Sequence, residues 1–456
     1  MNDACTPRAS STTTVPSRRD FLFQSAGAAA GLMAFGALHS ARAADSQPLK
    51  VACIMTAFHH RSHAHVILEN FLHPYLFNGQ VTQPGMQVAS FFVDQYHPED
   101  MTRETSKQYN IPIYKTIGEA VTLGGDKLAV DAVMIIGEHG DYPVNAKGQM
   151  EYPRKKFFDE VVAVFKRSGR GVPVFNDKHL SYRWDWAKEM VDTSRSLDFP
   201  LMAGSSVPLA QRRPPMEFPS GAKIDEAVSI QGGGVESYDF HCLEVLQSQV
   251  EARQGGETGV AKVQFLDTPA LWKAAADGFW SPDLAAAAMA AEVGPDDPMT
   301  KYLASGGKDT GAEAPPTHAI AVHYKDGLRG LALKVGNSAT RWNFATRLPG
   351  DPKPLATAYY VGPWQNRNLF KALSHSIQTF FREKKAPYPI ERTLLTTGAL
   401  DAAMDSRVAG GKLTDTPQLE FSYAPVDFRR MREMGASWKI ITEEMPEHEG
   451  IKPVGV

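Results

Sequence analysis

The stretch "LKVACIMTAFHHRSHAH", residues 49–65, joins an apolar run to a turn that carries four histidines in seven positions. A buried strand followed by a turn and a helix is where nucleotide-binding α/β folds keep their glycines. This turn contains no glycine. Two interpretations follow from the residues: a metal site, or a dinucleotide loop whose glycines have been replaced.

The sequence around this stretch alternates short apolar runs with helical patterns. Strands of four to eight apolar residues separated by helices are typical of a parallel sheet that is covered on both faces. We therefore expect a Rossmann-like, doubly wound α/β domain over residues 49–206. The predicted strands are 50–55, 87–93, 111–114, 130–137, 172–177 and 200–205, and the predicted helices are 62–72, 98–110, 116–123, 155–169 and 182–198.

The pattern changes after residue 206. The Pro-rich segment 207–221 predicts a crossing into a second domain, and the Gly-, Asp- and Pro-rich segment 294–316 predicts a surface loop. We expect an α+β domain with a mixed or antiparallel sheet over 207–425, followed by a C-terminal tail over 426–456. Its predicted strands are 227–233, 261–267, 317–324 and 330–336, and its helices are 239–253, 281–292, 368–383 and 392–410.

The N-terminus has the pattern of an export signal. The pair Arg18-Arg19 precedes a mildly apolar segment rich in Ala and Gly, and an Ala-Arg-Ala motif ends at Ala43. This order predicts a twin-arginine (Tat) signal over residues 1–43, cleaved after Ala43 or Ala44. The alternative, a membrane anchor, is disfavoured because glycines interrupt the weakly apolar stretch 21–40. We expect a Tat-translocated protein that is periplasmic or otherwise exported, with no stable membrane insertion after cleavage.

Composition bounds what the remaining chain can do. Cleavage leaves 413 residues, enough for about two domains. The net charge moves from −3 to −5 because four arginines and two acids leave, so a nucleic-acid partner is not expected. Only Cys53 and Cys242 remain, which excludes a disulfide framework as the main source of stability.

Several motifs, in this order, resemble the Gfo/Idh/MocA family of glucose–fructose oxidoreductase and inositol dehydrogenase. "RSHAHVILENF" (61–71) resembles the opening of its first helix, and "VASFFVDQ" (88–95) its second strand with a terminal acid. "KQYNIPIYKTIGEAVTLGGDKLAVDAVMIIGEHGDYP" (107–143) and "GVPVFNDKHLSYRWDWAKEMVDTSRSLDFPLMAGSS" (171–206) resemble the segments that follow. "LLTTGALDAAMDSRVAGGKL" (394–413) resembles its closing helix.

The sequence departs from this family at its best-known motifs. The family's Gly-x-Gly-x-x-Gly is replaced by "MTAFHHRSHA", whose side chains at Ala57, Phe58 and His60 obstruct a close diphosphate approach. The family's Glu-Lys-Pro appears as Asp177-Lys178-His179. Its Asp-x-x-x-His is matched in part by "SYDFH" (237–241), where Ser237 replaces the acid.

The resemblance implies candidate site residues. Lys178 would contact substrate and cofactor, and His241 would act as general acid/base, with Asp239 as the nearby acid. The implied cofactor is NAD or NADP, and the implied substrate is a sugar or polyol. The second domain would bind substrate and support a homo-oligomer. Candidate cofactor-binding residues are Thr56, Arg61, Asp94, Glu138 and His139.

Each candidate has an ordinary alternative. Lys178 could be a surface lysine, His241 a packed histidine at a helix start, and Asp94 a simple strand-end acid. His59 and His63 are four residues apart, as are His65, Glu69 and His73, but no fixed metal-binding pattern occurs, so no metal is expected. His59, His60 and His139 could instead line a substrate pocket. Arg212 and Arg213 are either anion-binding groups or a solvated linker, and of Trp184 and Trp186 at least one belongs to the core.

Three functional hypotheses remain open. The first is an exported oxidoreductase that transfers hydride between a nicotinamide and a sugar or polyol. The second is the same scaffold without dinucleotide binding, acting as a carbohydrate-binding or otherwise non-redox protein. The third is a metal-dependent lyase or hydrolase that uses the His-rich turn. All three place Lys178, Asp94 and that turn on one rim, facing His241 across a gap between two lobes.

Overall fold

The run 49–55 forms β1 (Leu49–Met55), the strand on which the first sheet is built. In this computed structural model, which describes residues 47–308 and 315–451, every residue from Val51 to Met55 is fully buried. Val51, Cys53 and Met55 face one apolar core, and Ala52 and Ile54 face another. A strand buried on both faces needs apolar residues throughout, which explains the continuous run. The expected export signal and its cleavage site at Ala43 lie outside the described residues.

The first sheet is five-stranded and entirely parallel, in the order β4-β1-β5-β6-β7. Its other strands are β4 (Met86–Val93), β5 (Ala132–Ile136), β6 (Val174–Asp177) and β7 (Leu201–Gly204). The helices between them are α1 (His63–Leu72), α2 (Thr102–Tyr109), α3 (Ile117–Thr122), α4 (Arg154–Ser168) and α5 (Trp184–Ser196). The predicted doubly wound sheet is confirmed.

The predicted strand 111–114 is reduced to one bridge. Ile113 makes an isolated parallel pairing with Phe91 of β4, at the outer edge of the sheet. Counting that position, the order is that of the Rossmann fold, and the chain reverses direction across the sheet between β1 and β5. Ligands of such folds bind beyond the carboxyl ends of the strands at this switch point.

The second sheet has eight strands in the order β15-β10-β11-β12-β9-β13-β14-β8. Only β9 and β12 pair in parallel, so the sheet is mixed, as predicted. Its strands are β8 (Gln211–Arg213), β9 (Glu226–Gly232), β10 (Val260–Leu266), β11 (Thr317–Tyr324), β12 (Arg329–Val335), β13 (Ser338–Thr346), β14 (Leu355–Tyr360) and β15 (Thr414–Asp415).

Six more helices complete the layers. They are α6 (Ser237–Val250), α7 (Thr268–Ala276), α8 (Pro282–Val293), α9 (Pro298–Ala304), α10 (Asn366–Glu383) and α11 (Ile390–Val408). Helices α3–α5 cover one face of the first sheet. Helices α1, α6, α10 and α11 contribute to the core that the two sheets share, and α7–α9 cover the outer face of the second sheet. None of the helices in the described residues is long and apolar enough to cross a membrane.

Several elements differ from the sequence-based expectations. A hairpin, β2 (Tyr75–Phe77) and β3 (Gln80–Thr82), follows α1 and turns at Asn78-Gly79, both with positive φ. The expected loop 294–316 contains α9, which Asp297 caps by accepting from the Met299 amide at 2.8 Å. The expected crossing 207–221 contains β8, where Arg212 is buried and donates to the Met216 carbonyl at 2.8 Å. Arg212 is therefore neither a solvated linker residue nor part of the switch-point region.

β13 and β14 were missed because buried polar residues interrupt the alternation of hydropathy. Arg341 and Asn343 of β13 are both buried and both donate to Glu292, at 2.9 and 2.8 Å. Trp184 packs against the core and stacks on Phe421 at a centroid separation of 6.2 Å, but it is only partly buried. Trp186 is also only partly buried, so neither tryptophan belongs fully to the core. Cys53 and Cys242 are both free and buried.

One buried arginine ties distant parts of the chain together. Arg367 of α10 donates to Glu69 of α1 at 2.7 Å and to Glu447 at 2.8 Å. Arg367 and Glu69 are both at most 3% exposed, so neither charge has water as an alternative partner. Glu447 also pairs with Arg61 in the His-rich turn.

We expect Arg367→Met to lower the free energy of unfolding by about 3–5 kcal/mol, because it leaves the Glu69 carboxylate buried without a counter-ion. Urea unfolding measures this loss. The double variant Arg367→Met/Glu69→Leu should recover most of it. As a control, Arg183→Ala removes an ion pair with Asp185 that is about half exposed and should change stability by less than about 1 kcal/mol. A double variant no more stable than Arg367→Met would contradict the explanation.

Candidate functional site

Backbone strain is concentrated around one cavity. Among the described residues, ten other than glycine have positive φ. Asn110, Leu123 and Lys384 simply end helices in the left-handed conformation. Five of the others line a single cavity between the two sheets: Arg61, His139, Lys178, Glu236 and Gln365. Such conformations cost about 1–3 kcal/mol each and cluster at functional sites.

This main cavity has a volume of about 560 Å³, in the range of small-molecule sites. One wall consists of residues that follow β1, β5 and β6, at the switch point of the first sheet. The other wall comes from the start of α6, from β13 and from the start of α10. The cavity therefore needs both halves of the chain.

The Glu138 carboxylate compensates two buried cations at the floor of the main cavity. Its carboxylate accepts from Lys178 Nζ at 2.7 Å and from Arg154 Nη2 at 2.5 Å. Burial alone would raise the pKa of Glu138, but the Lys178 ammonium and the Arg154 guanidinium outweigh it and hold the pKa well below its usual value. Arg154 passes so close to Gly137 that a Cβ there would lie 2.6 Å from Arg154 Cγ, which explains the glycine.

Two histidines of the main cavity are each oriented by a neighbour. His63, the first residue of α1, has its Nδ1 atom 2.6 Å from the Asp177 carboxylate at the end of β6. His241 of α6 has its Nδ1 atom 2.6 Å from Ser205 Oγ, just after β7. Burial, and then the nearby Lys178 ammonium, hold the pKa of His241 well below its usual value, so this imidazole stays neutral.

The main cavity brings together Lys178, His241, Arg61, Glu138 and His139 of the predicted site residues. Arg61 reaches it from the His-rich turn and donates to Asn366 of α10 at 3.0 Å. The structure brings Lys178, the turn and His241 together, whereas Asp94, predicted for the same rim, does not line this cavity.

Asp239 lies elsewhere. Its carboxylate accepts from Gln231 at 2.9 Å and from the Glu236 amide at 3.0 Å, and it lies 2.9 Å from Nε2 of His318. It is fully buried and does not line the cavity. These contacts give Asp239 a part in starting α6 and joining it to the second sheet. The structure does not place it at a reacting group.

The turn after β1 is filled by its own side chains. Thr56 is buried and donates to the Glu138 carbonyl at 2.6 Å, so its hydroxyl joins β1 to the end of β5. Phe58 is fully buried against Phe91, at a centroid separation of 6.3 Å. The His59 ring stacks on His97 at 4.2 Å. Aromatic rings therefore occupy the space directly after β1.

A second cavity, of about 460 Å³, adjoins the first. His59, Gln95, His97 and Asp141 are among its lining residues, and His139 and Tyr152 line both cavities. Asp94 precedes Gln95, and its carboxylate accepts from Tyr142 at 2.7 Å.

His139 stands at the junction of the two cavities. Burial, with help from His63, lowers the pKa of His139 to about 3, so the ring is neutral. Its Nε2 atom is buried and has no hydrogen-bond partner in the described part of the chain. A buried polar atom of this kind is costly unless a bound molecule satisfies it.

The histidines of the turn pack on one another and do not converge on a point. His139 lies about 5.2 Å, between ring centroids, from both His59 and His63, with the rings nearly perpendicular. Across residues 47–308 and 315–451, no group of three or more His, Cys, Asp or Glu side chains is arranged to hold a metal ion. His65 is buried, with its Nε2 atom 3.8 Å from the Glu69 carboxylate. His73 shares a hydrogen bond of 2.6 Å with the Tyr109 hydroxyl.

Sequence reasoning missed the orienting partners. Asp177 ends β6, and His63 begins α1 after the turn that follows β1, so topology could have placed both on the same rim. Ser205, which follows β7, could have been found in the same way. Tyr238 and Trp342, whose rings stack at 5.1 Å beside His241, were also missed, although Tyr238 lies within the motif "SYDFH".

The sequence matches no family model and no curated protein. The fold is similar to that of GenD2 from gentamicin A biosynthesis, solved in complex with NAD, with a TM-score of 0.51, 10% identity, and coverage of 81% of this chain and 97% of that one. The apo scyllo-inositol dehydrogenase from Lactobacillus casei aligns with a TM-score of 0.49, 10% identity and coverage of 81% and 98%. At 10% identity the likeness to GenD2 establishes the fold alone.

We expect Glu138→Gln to lower the free energy of unfolding at neutral pH by about 3–5 kcal/mol, because Lys178 and Arg154 would lose their shared counter-ion. The folded-state pKa of Glu138 is below its ordinary value of 4.5. Its contribution is therefore fully present above pH 4.5 and is lost as the pH falls through the folded-state pKa.

Urea unfolding of both proteins at a series of pH values measures this effect. The stability difference should be constant between about pH 6 and 8 and should shrink in acid. Glu104→Gln, at an exposed position of α2, is the matched control and should show no such difference. A difference that stays constant into strong acid would contradict the assigned role of Glu138.

Proposed function

We propose that this chain is a divergent member of the Gfo/Idh/MocA family that oxidises or reduces a small sugar or polyol with a nicotinamide cofactor. The observation that carries the proposal is the meeting of Lys178, His63 and His241 in one cavity at the switch point of the first sheet. The fold is one in which GenD2 has been crystallised in complex with NAD, which supports the same class of cofactor here.

The two adjoining cavities fit an elongated cofactor. The second cavity, beside Asp94 and Gln95, would take the adenosine end, and the main cavity would take the nicotinamide beside the substrate. His139 stands between them with an unpartnered Nε2 atom. We infer that imidazole groups of His59 and His139 contact the diphosphate in place of the family's glycine backbone. When bound, the cofactor would supply hydride acceptance or donation at a carbon of the substrate.

The remaining wall of the main cavity suits a hydroxylated ring or chain. The stacked rings of Tyr238 and Trp342 offer an apolar face beside His241. Lys178 and Arg61 supply hydrogen-bond donors, and Glu138 and Glu236 supply acceptors. Apolar faces flanked by donors and acceptors are the surfaces that a sugar or polyol needs.

A second candidate function rests on the contact between Asp94 and Tyr142. The acid that would hold the adenosine ribose already accepts from the tyrosine hydroxyl at 2.7 Å, and Phe58 fills the turn. A protein that kept the scaffold and bound a carbohydrate without a dinucleotide would have these features.

Thermal unfolding with NAD, NADH, NADP and NADPH separates the two functions. We expect one nucleotide pair to raise the melting temperature, because a ligand at 100 times its Kd stabilises the native state by about 2.7 kcal/mol. Asp94→Asn should weaken that effect, whereas Asp126→Asn, at an exposed position away from both cavities, should not. No stabilisation by any nucleotide, and none released on denaturation, would favour the carbohydrate-binding alternative.

We also propose that the protein is exported through the Tat pathway, because Arg18-Arg19 and the Ala-rich segment have the pattern of its signals. Replacing both arginines by lysine should retain the uncleaved protein in the cytoplasm, which cell fractionation measures. Export that is unaffected by this replacement would exclude the Tat route.

A further inference from the structure

The contact between His63 and Asp177 determines which nitrogen of His63 carries the proton. A carboxylate can only accept, so Nδ1 of His63, 2.6 Å from Asp177 Oδ2, is the protonated nitrogen. Asp177 is 1% exposed, which keeps this contact out of water. In the neutral ring, Nε2 then has a lone pair. No hydrogen-bond partner for Nε2 occurs in the described residues, and His63 lines the main cavity.

The contact between His241 and Ser205 places the proton of His241 on the other ring nitrogen, Nε2. Ser205 Oγ already accepts from the Val207 amide at 3.0 Å. Within the described residues its own proton has one acceptor in reach, Nδ1 of His241 at 2.6 Å. Nδ1 of His241 is therefore unprotonated, and the neutral ring carries its proton on Nε2. His241 can donate a hydrogen bond from that atom but has no lone pair there to accept a proton.

Lys178 is also unsuited to accept a proton. Its ammonium donates to Glu138 at 2.7 Å, and that carboxylate is shared with Arg154. Losing the proton would remove one of the two cations that compensate the buried Glu138. Lys178 remains a donor and a positive charge. Of Lys178, His63 and His241, only His63 has a free lone pair. His139, whose Nε2 atom is also unpartnered, lies at the junction with the second cavity, where we assign it to the diphosphate.

We propose that His63, oriented by Asp177, is the catalytic residue that takes the proton from the substrate hydroxyl, and that neutral His241 donates a hydrogen bond to a substrate oxygen. The inference rests on the proposed oxidoreductase function and deepens it. It assigns proton transfer to His63 and Asp177, both from the first half of the chain. The resemblance instead implies Lys178 and His241.

The step balances as follows. The O–H bond of the substrate breaks and its proton moves to Nε2 of His63. The C–H bond on the same carbon breaks as a hydride leaves for the oxidised nicotinamide, and a C=O bond forms. The carbon is oxidised by two electrons and the nicotinamide is reduced by two. The resulting imidazolium lies against the Asp177 carboxylate, which stabilises its charge.

The surroundings of His63 support this role. The ring packs edge-on against Phe370 of α10, with centroids 4.7 Å apart, which limits its rotation. The titratable groups around it include Asp177, Glu138, Lys178, His139 and His241. Both of these other histidines are held neutral by burial, so no second imidazolium opposes the charge that forms on His63.

Nitrogen NMR of the protein labelled with ¹⁵N-histidine tests the tautomers without substrate or cofactor. His63→Gln and His241→Gln assign the two signals, and His323→Gln, whose ring packs on Phe279 away from the cavity, is the control. We expect His63 to carry its proton on Nδ1, and neutral His241 to carry its proton on Nε2. The reverse assignment would overturn the inference.

Kinetics with a polyol series and NAD or NADP test the role of Asp177 as the positioning residue. Asp177→Asn should lower kcat by about 10²- to 10⁴-fold with a small change in KM, because an amide no longer enforces the tautomer. Asp177→Glu should retain more activity than Asp177→Asn, and Asp126→Asn should match the wild type. Full activity of Asp177→Asn with an unchanged pH profile would overturn the inference.

The two proposals fail in different ways. If the wild-type protein turns over no polyol with either nucleotide, the oxidoreductase function is overturned, and the proton-accepting role of His63 with it. If turnover is normal but the tautomers are reversed or His63→Gln is fully active, only the assignment of His63 is overturned.

Discussion

The site depends on the ion pairs that the Glu138 carboxylate makes. This carboxylate joins Lys178 at the end of β6 to Arg154 at the start of α4, and it follows β5 at the switch point. Each of these charges is buried, so each is tolerated only because the others are present. Lys178, which donates to the same carboxylate, has a left-handed backbone conformation with φ 59°. Buried ion pairs, more than apolar contacts, therefore hold the floor of the main cavity together.

The first sheet was predictable because its strands are buried on both faces. A continuous apolar run such as 132–136 can only be a core element, and the helices between such runs impose the parallel topology. The second sheet was harder to predict. Arg341 and Asn343 lie inside β13 and donate to Glu292, which is 49 and 51 positions away, so local hydropathy does not reveal the strand. Asn78-Gly79 is a local signal for a hairpin turn. It was missed because the elements were assigned from the alternation of strand and helix patterns.

The site was predictable only in part. Residues at the carboxyl ends of strands, such as Lys178 and Glu138, could be placed on one rim by topology alone. The partners that decide their chemistry could not, since the proton position on His63 or His241 depends on a 2.6 Å contact with Asp177 or Ser205. The role expected for Asp239 shows the same limit. It is near His241 in the sequence, but its contacts with His318 and the Glu236 amide direct it away from the cavity.

The ion pair between Arg61 and Glu447 has a consequence for the order of events in the cell. Arg61 lines the main cavity, yet its partner is 386 residues further along the chain. A nascent chain cannot complete this wall until Glu447 has been synthesised and has left the ribosome. Any ligand that needs the finished wall must therefore enter after that point.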